Sequence, residues 1–163
     1  MSAPAASPAQ SEQLLAEFAI RRVAESYAYA VDSGDGALFA AQFTPDGLLI
    51  SPRGSFQGAE LQGVPAMMQR AYLRTHHAVV GHLAQLSPDR QSATAETACY
   101  ARHYLRRDGG DYCYEMTIRY HDLLRRLPEG WRIAERRLEL IGEAGWQAAA
   151  RPEPSEYGGR DAR

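Results

Sequence analysis

The chain has 163 residues, of which 45% are hydrophobic and 23% are charged, and its formal net charge is −2. This size and composition suit one globular domain with a single core. The positive residues are scattered among acidic ones, so nucleic acid is not expected as a partner. No apolar run reaches the length of a membrane span, and the N-terminus lacks the basic and apolar regions of a signal peptide. We therefore expect a cytoplasmic protein without a membrane partner.

Two tails are predicted to flank the domain. Residues 1–10 are rich in Ala, Pro and Ser, which predicts a disordered N-terminal segment. Ser11 suits the N-cap of a helix over residues 12–31. Residues 147–163 are polar and rich in Pro and Gly, which predicts a loose C-terminal tail. The domain itself is expected to span residues 11–146.

The predicted first helix carries a carboxylate at its end. Apolar residues recur every three to four positions from Ile20 to Val31, which predicts a buried helix face. Asp32 follows at the C-terminal end, where unpaired carbonyls favour a cation. Partial burial there would raise the pKa of Asp32 and suit an acid, a base or a partner for a histidine cation. A solvated Asp that starts the turn at Ser33 explains the same stretch equally well.

Shorter elements are predicted next along the chain. Asp35 can cap a short second helix that ends before a turn at residues 44–47. Residues 48–51 and 54–57 are typical of a short hairpin. A third helix is predicted after Gly63, because a proline stands in its first turn.

The periodicity then changes to two, which indicates strands. Four longer strands are predicted, at residues 79–86, 92–106, 111–126 and 131–141. In the last strand Trp131 and Ile133 share one parity, whereas Leu138 has the other. A β-bulge near Glu135-Arg136 would reconcile them, and bulges often redirect a side chain at a functional site.

Neither a metal site nor a disulfide is expected. Cys99 and Cys113 lie on separate predicted strands without the spacing of a zinc or redox motif, so they are interpreted as small, buried, reduced residues. His76 and His77 are adjacent on a strand and must point to opposite faces, which also argues against a metal pair.

The order of elements predicts an α+β fold, in which a curved sheet wraps around the helices and encloses a pocket. Four groups of residues match a known family: YAYAVDSGD and LFAAQFTPDG within residues 27–47, Phe56-Gln57-Gly58, Tyr120-x-Asp122, and Gly130-Trp131-Arg132-Ile133 with Arg136 beyond. On these residues the chain resembles the SnoaL-like branch of the nuclear transport factor 2-like superfamily, over residues 14–141.

This resemblance implies a cone-shaped α+β barrel with a deep apolar pocket, no cofactor, and assembly as a homodimer or homotrimer. In this superfamily scytalone dehydratase, bile-acid 7α-dehydratase and hexachlorocyclohexane dehydrochlorinase pair an Asp at the end of the first helix with a His from the sheet. Asp32 matches that Asp, and Tyr27 matches a Tyr of the bile-acid enzyme. Arg136 has a position similar to a pocket Arg of the dehydrochlorinase.

The histidine partner has three candidates in this chain. Counting back from Gly81, the family position lies at or near Val79. His77 shares the strand parity of that position and is the first candidate for the partner of Asp32. His76 and His82 are the others.

The implied reaction is an elimination or isomerisation of a small hydrophobic, cyclic molecule. A neutral His77 imidazole would remove a proton from carbon while Asp32 fixes the ring tautomer and stabilises the imidazolium, a contribution of about 10²–10⁴-fold. Tyr27 and Arg136 are assigned to the same catalytic group, and Arg136 could hold developing negative charge. A solvated strand position explains Arg136 equally well.

Five further residues are assigned to substrate binding, namely Tyr29, His76, His82, Tyr120 and Asp122. The tyrosines could donate hydrogen bonds to a leaving group or an enolate oxygen, although core packing is the alternative for each. Asp122 could be the late-strand acid found in related polyketide cyclases, or a surface Asp near a turn. His103 and His121 are interpreted as structural.

Two classes of function stay open. One is a cofactor-independent lyase or isomerase. The other is a non-catalytic ligand-binding or dimerising module, similar to the small β subunit of ring-hydroxylating oxygenases. A structural partner has no need of the helix-end Asp with nearby histidines, which favours an enzyme. The family position of the histidine, at or near Val79, is not a histidine in this chain, which argues against an enzyme. A histidine nitrogen within hydrogen-bond reach of Asp32 inside an apolar cavity would favour the enzyme.

Overall fold

The computed structural model describes residues 7–149, which form three helices and a six-stranded sheet. The helices are α1 (Pro8–Ser33), α2 (Gly36–Ala40) and α3 (Val64–Ala71), and a 3₁₀ helix (Gly58–Gly63) leads into α3. The strands are β1 (Phe43–Ser51), β2 (Gly54–Gln57), β3 (Arg74–Leu86), β4 (Ser92–Arg107), β5 (Gly110–Leu127) and β6 (Gly130–Gln147). The predicted α+β fold, a curved sheet with helices on one side, is confirmed.

Helix α1 begins earlier than predicted. Ser7, not Ser11, is its N-cap: the Gln10 backbone N–H donates to the Ser7 hydroxyl at 3.3 Å, and the Ser7 N–H donates to the Gln10 side chain at 2.8 Å. Pro8 at the first helical position fits the helix because its missing N–H would be unpaired there anyway. Residues 8–10 are therefore helical, whereas residues 1–6 of the predicted tail lie outside the described part.

The end of α1 is fixed by a glycine. Gly34 adopts a left-handed conformation with φ 75°, which ends the helix just beyond Asp32. The Asp35 N–H then donates to the Ala30 carbonyl at 3.0 Å. As predicted, Asp35 caps α2, since its carboxylate accepts from the Leu38 N–H at 2.8 Å. These contacts hold Asp32 in the last turn of α1, close to the sheet.

The strands pair in the order β2-β1-β6-β5-β4-β3. Only β1 and β6 run parallel, and the other neighbours are antiparallel.

Three predicted strand bounds were wrong. Strand β1 begins at Phe43 and includes the predicted turn as an irregularity in register, β3 begins at Arg74 rather than 79, and β6 continues to Gln147. Residues 150–163 of the predicted C-terminal tail are outside the described range.

A β-bulge in β3 decides which histidines face the interior. The register shifts between Val79 and Gly81, which makes Val80 the extra residue. Because the bulge reverses the alternation of faces, His77 before it and His82 beyond it both lie on the buried side of β3. The sequence did not indicate this bulge.

A second bulge lies in β6 at Ala134, next to the predicted position. Ile133 on one side of it and Arg136 on the other are both buried. The bulge therefore turns the arginine into the core, which plain alternation would have left facing solvent.

The core lies between α1 and the concave face of the sheet. The Tyr27 ring packs on Phe39 with centroids 4.7 Å apart, and Phe39 contacts Phe43 at 5.5 Å. Cys99 and Cys113 are buried free thiols, as predicted. No helix within residues 7–149 combines the length and the apolar character that a bilayer span requires.

Candidate active site

A cavity of about 220 Å³ lies between the helices and the concave face of the sheet. Its wall is mainly apolar, with side chains from α1, from α3 and from all six strands. The lining residues are Tyr27, Val31, Leu49, Ser51, Pro52, Arg53, Phe56, Val64, Met67, Met68, Ala71, Tyr72, His77, His103, Met116, Ile118, Tyr120 and Leu138. Such a wall selects a small and largely apolar ligand.

Asp32 and His77 meet at one end of this cavity. The His77 Nδ1 atom lies 2.7 Å from Asp32 Oδ1, and the His77 backbone N–H donates to Asp32 Oδ2 at 2.8 Å. The Thr75 hydroxyl donates to Asp32 Oδ1, also at 2.8 Å. The early start of β3 makes these contacts possible, because it places Thr75 and His77 on the strand beside the end of α1.

The environment keeps Asp32 ionised. Partial burial opposes ionisation, but the hydrogen bonds from the His77 ring and backbone and from Thr75 outweigh it, so the pKa of Asp32 is lowered. The expectation of a raised pKa was therefore wrong. An ionised carboxylate on Nδ1 stabilises the tautomer with its proton there. Nε2 is then left for a ligand, and no group within residues 7–149 hydrogen-bonds it.

Two residues assigned to substrate binding lie outside the cavity. The His76 side chain is 67% exposed, with Nδ1 3.8 Å from Asp32 Oδ2. Tyr29 is also 67% exposed. Both line an open depression on the outer side of Asp32. His76 points away because it neighbours His77 on the strand, and Tyr29 because it is two helix positions from the buried Tyr27.

His82 is also displaced from the cavity, although it faces the interior. Its Nδ1 lies 2.9 Å from the hydroxyl of Thr97, which is fully buried. Burial lowers the pKa of His82, so the neutral ring is favoured. His82 lies beyond the bulge at Val80, too far along β3 to contribute to the cavity wall.

Arg136 and Asp122 form a buried ion pair instead of two separate site residues. Arg136 is 1% exposed, and its Nε and Nη2 donate to the two Asp122 oxygens at 2.7 and 2.6 Å. The guanidinium carbon lies 4.2 Å from the Tyr27 ring centroid and 4.4 Å from that of Tyr120. Neither charged residue lines the cavity. The alternative surface positions of both residues were wrong, because the two charges pair with each other inside the core.

Tyr27 and Tyr120 do line the cavity, and they cover this ion pair. Burial raises the pKa of Tyr27 to about 12 in spite of the nearby Arg136 cation, and burial also raises the pKa of Tyr120. Both phenols therefore keep their protons at neutral pH. They are available as hydrogen-bond donors to a ligand.

His103 is a cavity residue that the sequence interpretation missed. It is 3% exposed, and its ring meets the His77 ring edge-on with centroids 5.5 Å apart. Its other face packs on Tyr72 at 4.6 Å. Burial and the nearby His77 lower the pKa of His103 to about 4. The sequence did contain a signal: His103 shares strand parity with a run of small residues, Ala93, Ala95, Thr97, Cys99 and Ala101, which all face the core.

This buried histidine predicts a specific loss of stability in acid. The pKa of His103 is about 6.5 in the unfolded chain, whereas burial lowers it to about 4 in the folded protein. As the pH falls through this window, only the unfolded chain gains the proton, so the free energy of unfolding should drop by about 3 kcal/mol. Urea unfolding from pH 7.5 to 4 measures the drop. His103→Gln should flatten the curve in that window, and an unchanged curve would contradict the assignment.

Arg53 and Tyr72 line another part of the cavity, a position that no sequence pattern indicated for either residue. Arg53, in the β1–β2 turn, donates from Nη1 to the Tyr72 hydroxyl. Its guanidinium carbon lies 5.8 Å from the Tyr114 ring centroid. The Tyr114 hydroxyl in turn donates to Glu143. The hydrogen bond with Tyr72 raises the pKa of Arg53, which keeps the guanidinium charged.

A metal site is not formed by the described side chains. Within residues 7–149 there is no group of three or more His, Cys, Asp or Glu side chains placed to hold an ion. The polar groups of the cavity are suited to proton transfer and hydrogen bonding.

Several solved structures are similar to this chain. A protein of unknown function from Mycobacterium tuberculosis, Rv3472, is 25% identical with a TM-score of 0.70, covering 84% of this chain and 78% of that one. A candidate scytalone dehydratase from Novosphingobium aromaticivorans is 17% identical, with a TM-score of 0.72 and coverages of 88% and 99%. Hexachlorocyclohexane dehydrochlorinase LinA-type3 from Novosphingobium barchaimii is 11% identical, with a TM-score of 0.76 and coverages of 88% and 99%.

The candidate scytalone dehydratase and LinA-type3 are less than 25% identical to this chain, so their similarity concerns the fold alone. A search of curated protein sequences finds no significant match. The family comparison is more direct, because the model of the SnoaL-like domain matches residues 12–137. This range includes most of α1, most of the sheet and every residue of the cavity wall except Leu138. The chain belongs to the SnoaL-like domain family.

Proposed function

We propose that this protein is a cofactor-independent lyase or isomerase that removes a proton from a carbon atom of a small, largely apolar ring compound. One observation carries the proposal: His77 Nδ1 lies 2.7 Å from the Asp32 carboxylate, at the wall of an apolar cavity. This arrangement leaves Nε2 as a base for a bound molecule. The family and the dehydrochlorinase and candidate dehydratase among the structural neighbours support an elimination or a related reaction.

In the proposed mechanism His77 is the base and Asp32 orients it. Asp32 accepts a hydrogen bond from His77 Nδ1–H, so the lone pair of Nε2 is available to take a proton from carbon. As the imidazolium forms, the ionised carboxylate offsets its charge. The Thr75 hydroxyl and the His77 backbone N–H fix the carboxylate, so the ring does not need to reorient during proton transfer.

The electron pair left on carbon then has two outcomes. In an elimination it forms a double bond while a leaving group departs from the neighbouring carbon. In an isomerisation the imidazolium returns the proton to another carbon. Tyr27 and Tyr120, which stay protonated, can donate hydrogen bonds to the leaving group or to an enolate oxygen. His103, with its low pKa, can serve there as a neutral donor.

Self-association is a second proposal, favoured by apolar side chains on the outer side of the sheet. Val80, Leu83, Tyr100, Leu123 and Ile141 are all exposed. Covering them in a homodimer or homotrimer would remove apolar area from water. A non-catalytic dimerising module would need this surface but would have no use for the Asp32–His77 contact. Turnover therefore distinguishes the two functions.

The test is a screen of small ring compounds that carry a C–H bond next to a carbonyl, with and without a leaving group on the neighbouring carbon. Mass spectrometry would follow deuterium uptake from D₂O, and ultraviolet absorbance would follow elimination. For an active compound, Asp32→Asn should lower kcat about tenfold or more with little change in KM, because Asp32 acts through His77 and does not line the cavity.

Asp35→Asn is the matched control, since Asn caps a helix as well as Asp does. It should retain turnover. Equal activity of Asp32→Asn and the native protein would move the chemistry elsewhere. In a ¹⁵N spectrum, the native His77 ring should carry its proton on Nδ1, and Asp32→Asn should weaken this preference.

A further inference from the structure

The charges along the cavity wall are unbalanced. Arg53 contributes a guanidinium, whereas no carboxylate within residues 7–149 lines the cavity. Asp32 lies behind His77 and is engaged by it and by Thr75. His103 is neutral at physiological pH because its pKa is about 4. A ligand in this cavity therefore meets a fixed positive charge with no negative charge facing it.

Arg53 is also free to bind an anion. Within the described chain it has no carboxylate partner at ion-pair distance, unlike Arg125 or Arg136, which are paired with aspartates. One of its nitrogens donates to the Tyr72 hydroxyl, and its face lies over Tyr114. These contacts hold the planar group at the cavity while leaving other N–H donors unused. A guanidinium held in this way matches the two oxygens of a carboxylate.

Arg53 is linked to the proposed base by a line of packed rings. Tyr72, which accepts from Arg53, packs on His103 with the two rings tilted by 45°, and His103 meets His77 edge-on. An anionic group at Arg53 and a carbon atom near His77 Nε2 would thus lie along one wall of a single cavity. The volume of 220 Å³ is below the range of about 300–1,000 Å³ for drug-sized ligands, so one or two rings would fill it.

We propose that the substrate is a small apolar ring compound carrying a carboxylate, and that Arg53 binds this carboxylate. A single cation suits a monoanion, whereas a phosphate dianion would call for more positive charge than this wall supplies. This proposal gives the substrate class for the proposed function. Only the statement that a carbon atom of the ligand reacts at His77 rests on the proposed function; the binding of the carboxylate at Arg53 does not. Binding of the carboxylate at Arg53 would position that carbon for His77.

Two probes that differ only in charge test this: 2-naphthoate and its neutral amide, 2-naphthamide. Titration of each into the native protein, followed by naphthalene fluorescence or calorimetry, should show that naphthoate binds about tenfold more tightly. Arg53→Gln should remove this preference and leave naphthamide binding within about twofold. Arg53→Lys should keep part of it, because the charge stays but the planar fork is lost.

Arg70→Gln is the matched control. Arg70 lies in the last turn of α3, outside the cavity wall, and its loss changes the net charge equally. It should retain the preference for naphthoate. Equal binding of both probes by the native protein, an equal loss of both in Arg53→Gln, or no binding of either probe would overturn the inference.

The outcome is separable from that of the proposed function. If Arg53 selects naphthoate but no ring compound is turned over, the binding site stands and the catalytic proposal fails. If neutral ring compounds are turned over with dependence on Asp32 while Arg53→Gln has no effect on either probe, the catalytic proposal stands and the inference about Arg53 fails.

Discussion

Replacing His77 with glutamine is expected to lower kcat by about 10²–10⁴-fold, because the variant loses the proposed base for the proton on carbon. Glutamine is polar and of similar length, and it can still hydrogen-bond Asp32, so the cavity should keep its shape. The loss should exceed that of Asp32→Asn, since Asp32 acts only by orienting His77. Steady-state kinetics on an active ring compound, with kcat and KM determined separately, measures both effects.

The neighbouring histidine provides the control for this substitution. His76→Gln changes a side chain that is exposed and points away from the cavity, so turnover should stay within about twofold of the native value. His77→Ala should regain part of its activity when imidazole is added, because the vacated space adjoins the cavity. Equal loss in the two glutamine variants would show that His77 has no special role. Full activity of His77→Gln would remove it from the mechanism.

The carboxylate that contacts His77 could be located from the sequence, but its histidine partner was harder to assign. Asp32 ends a clearly periodic helix, and both the pattern and the family resemblance pointed to it. The histidine depends on where β3 begins and on the bulge at Val80, which reverses the faces of the strand. Neither the start of β3 nor the bulge is marked by a pattern in the nearby sequence, because the strand start is set by pairing with the far end of β4.

The ion pair of the core was within reach of the sequence. The turn between β5 and β6 sets Leu127 opposite Gly130, and the predicted bulge shifts the register by one residue, which brings Asp122 opposite Arg136. Combining the turn and the bulge would have predicted this pair and removed both residues from the cavity. A buried arginine and a buried aspartate on neighbouring strands should pair, because an isolated buried charge is costly.

The position of Arg53 at the cavity could not be predicted from the sequence, for a different reason. It stands in a hairpin turn, where side-chain direction follows from packing against distant elements and not from any periodicity. Its position at the cavity depends on Tyr72, after α3, and on Tyr114, in the middle of the sheet. Fold and carboxylate were therefore predictable, whereas the position of Arg53 at the cavity depends on tertiary contacts.

Asp122→Ala is expected to destabilise the protein by about 3–5 kcal/mol, the largest stability effect predicted for this chain. The substitution leaves the Arg136 guanidinium in the core without its two hydrogen bonds, and Nη1 of this group already lacks a hydrogen-bond partner within residues 7–149. Tyr27 and Tyr120 would still face the cation, but aromatic faces do not replace a carboxylate. Urea unfolding followed by circular dichroism measures the change.

Removing both charges should reverse most of this loss. The double variant Asp122→Leu with Arg136→Met replaces the pair by apolar groups of similar size, so its stability should return close to the native value. Recovery would show that the cost lies in the unpaired charge and not in lost volume. The exposed Arg125–Asp46 pair is the surface comparison, and Asp46→Ala should have a far smaller effect because solvent screens that pair. If Asp122→Ala were no more destabilising than Asp46→Ala, the buried pair would not control the stability of the core beneath the cavity.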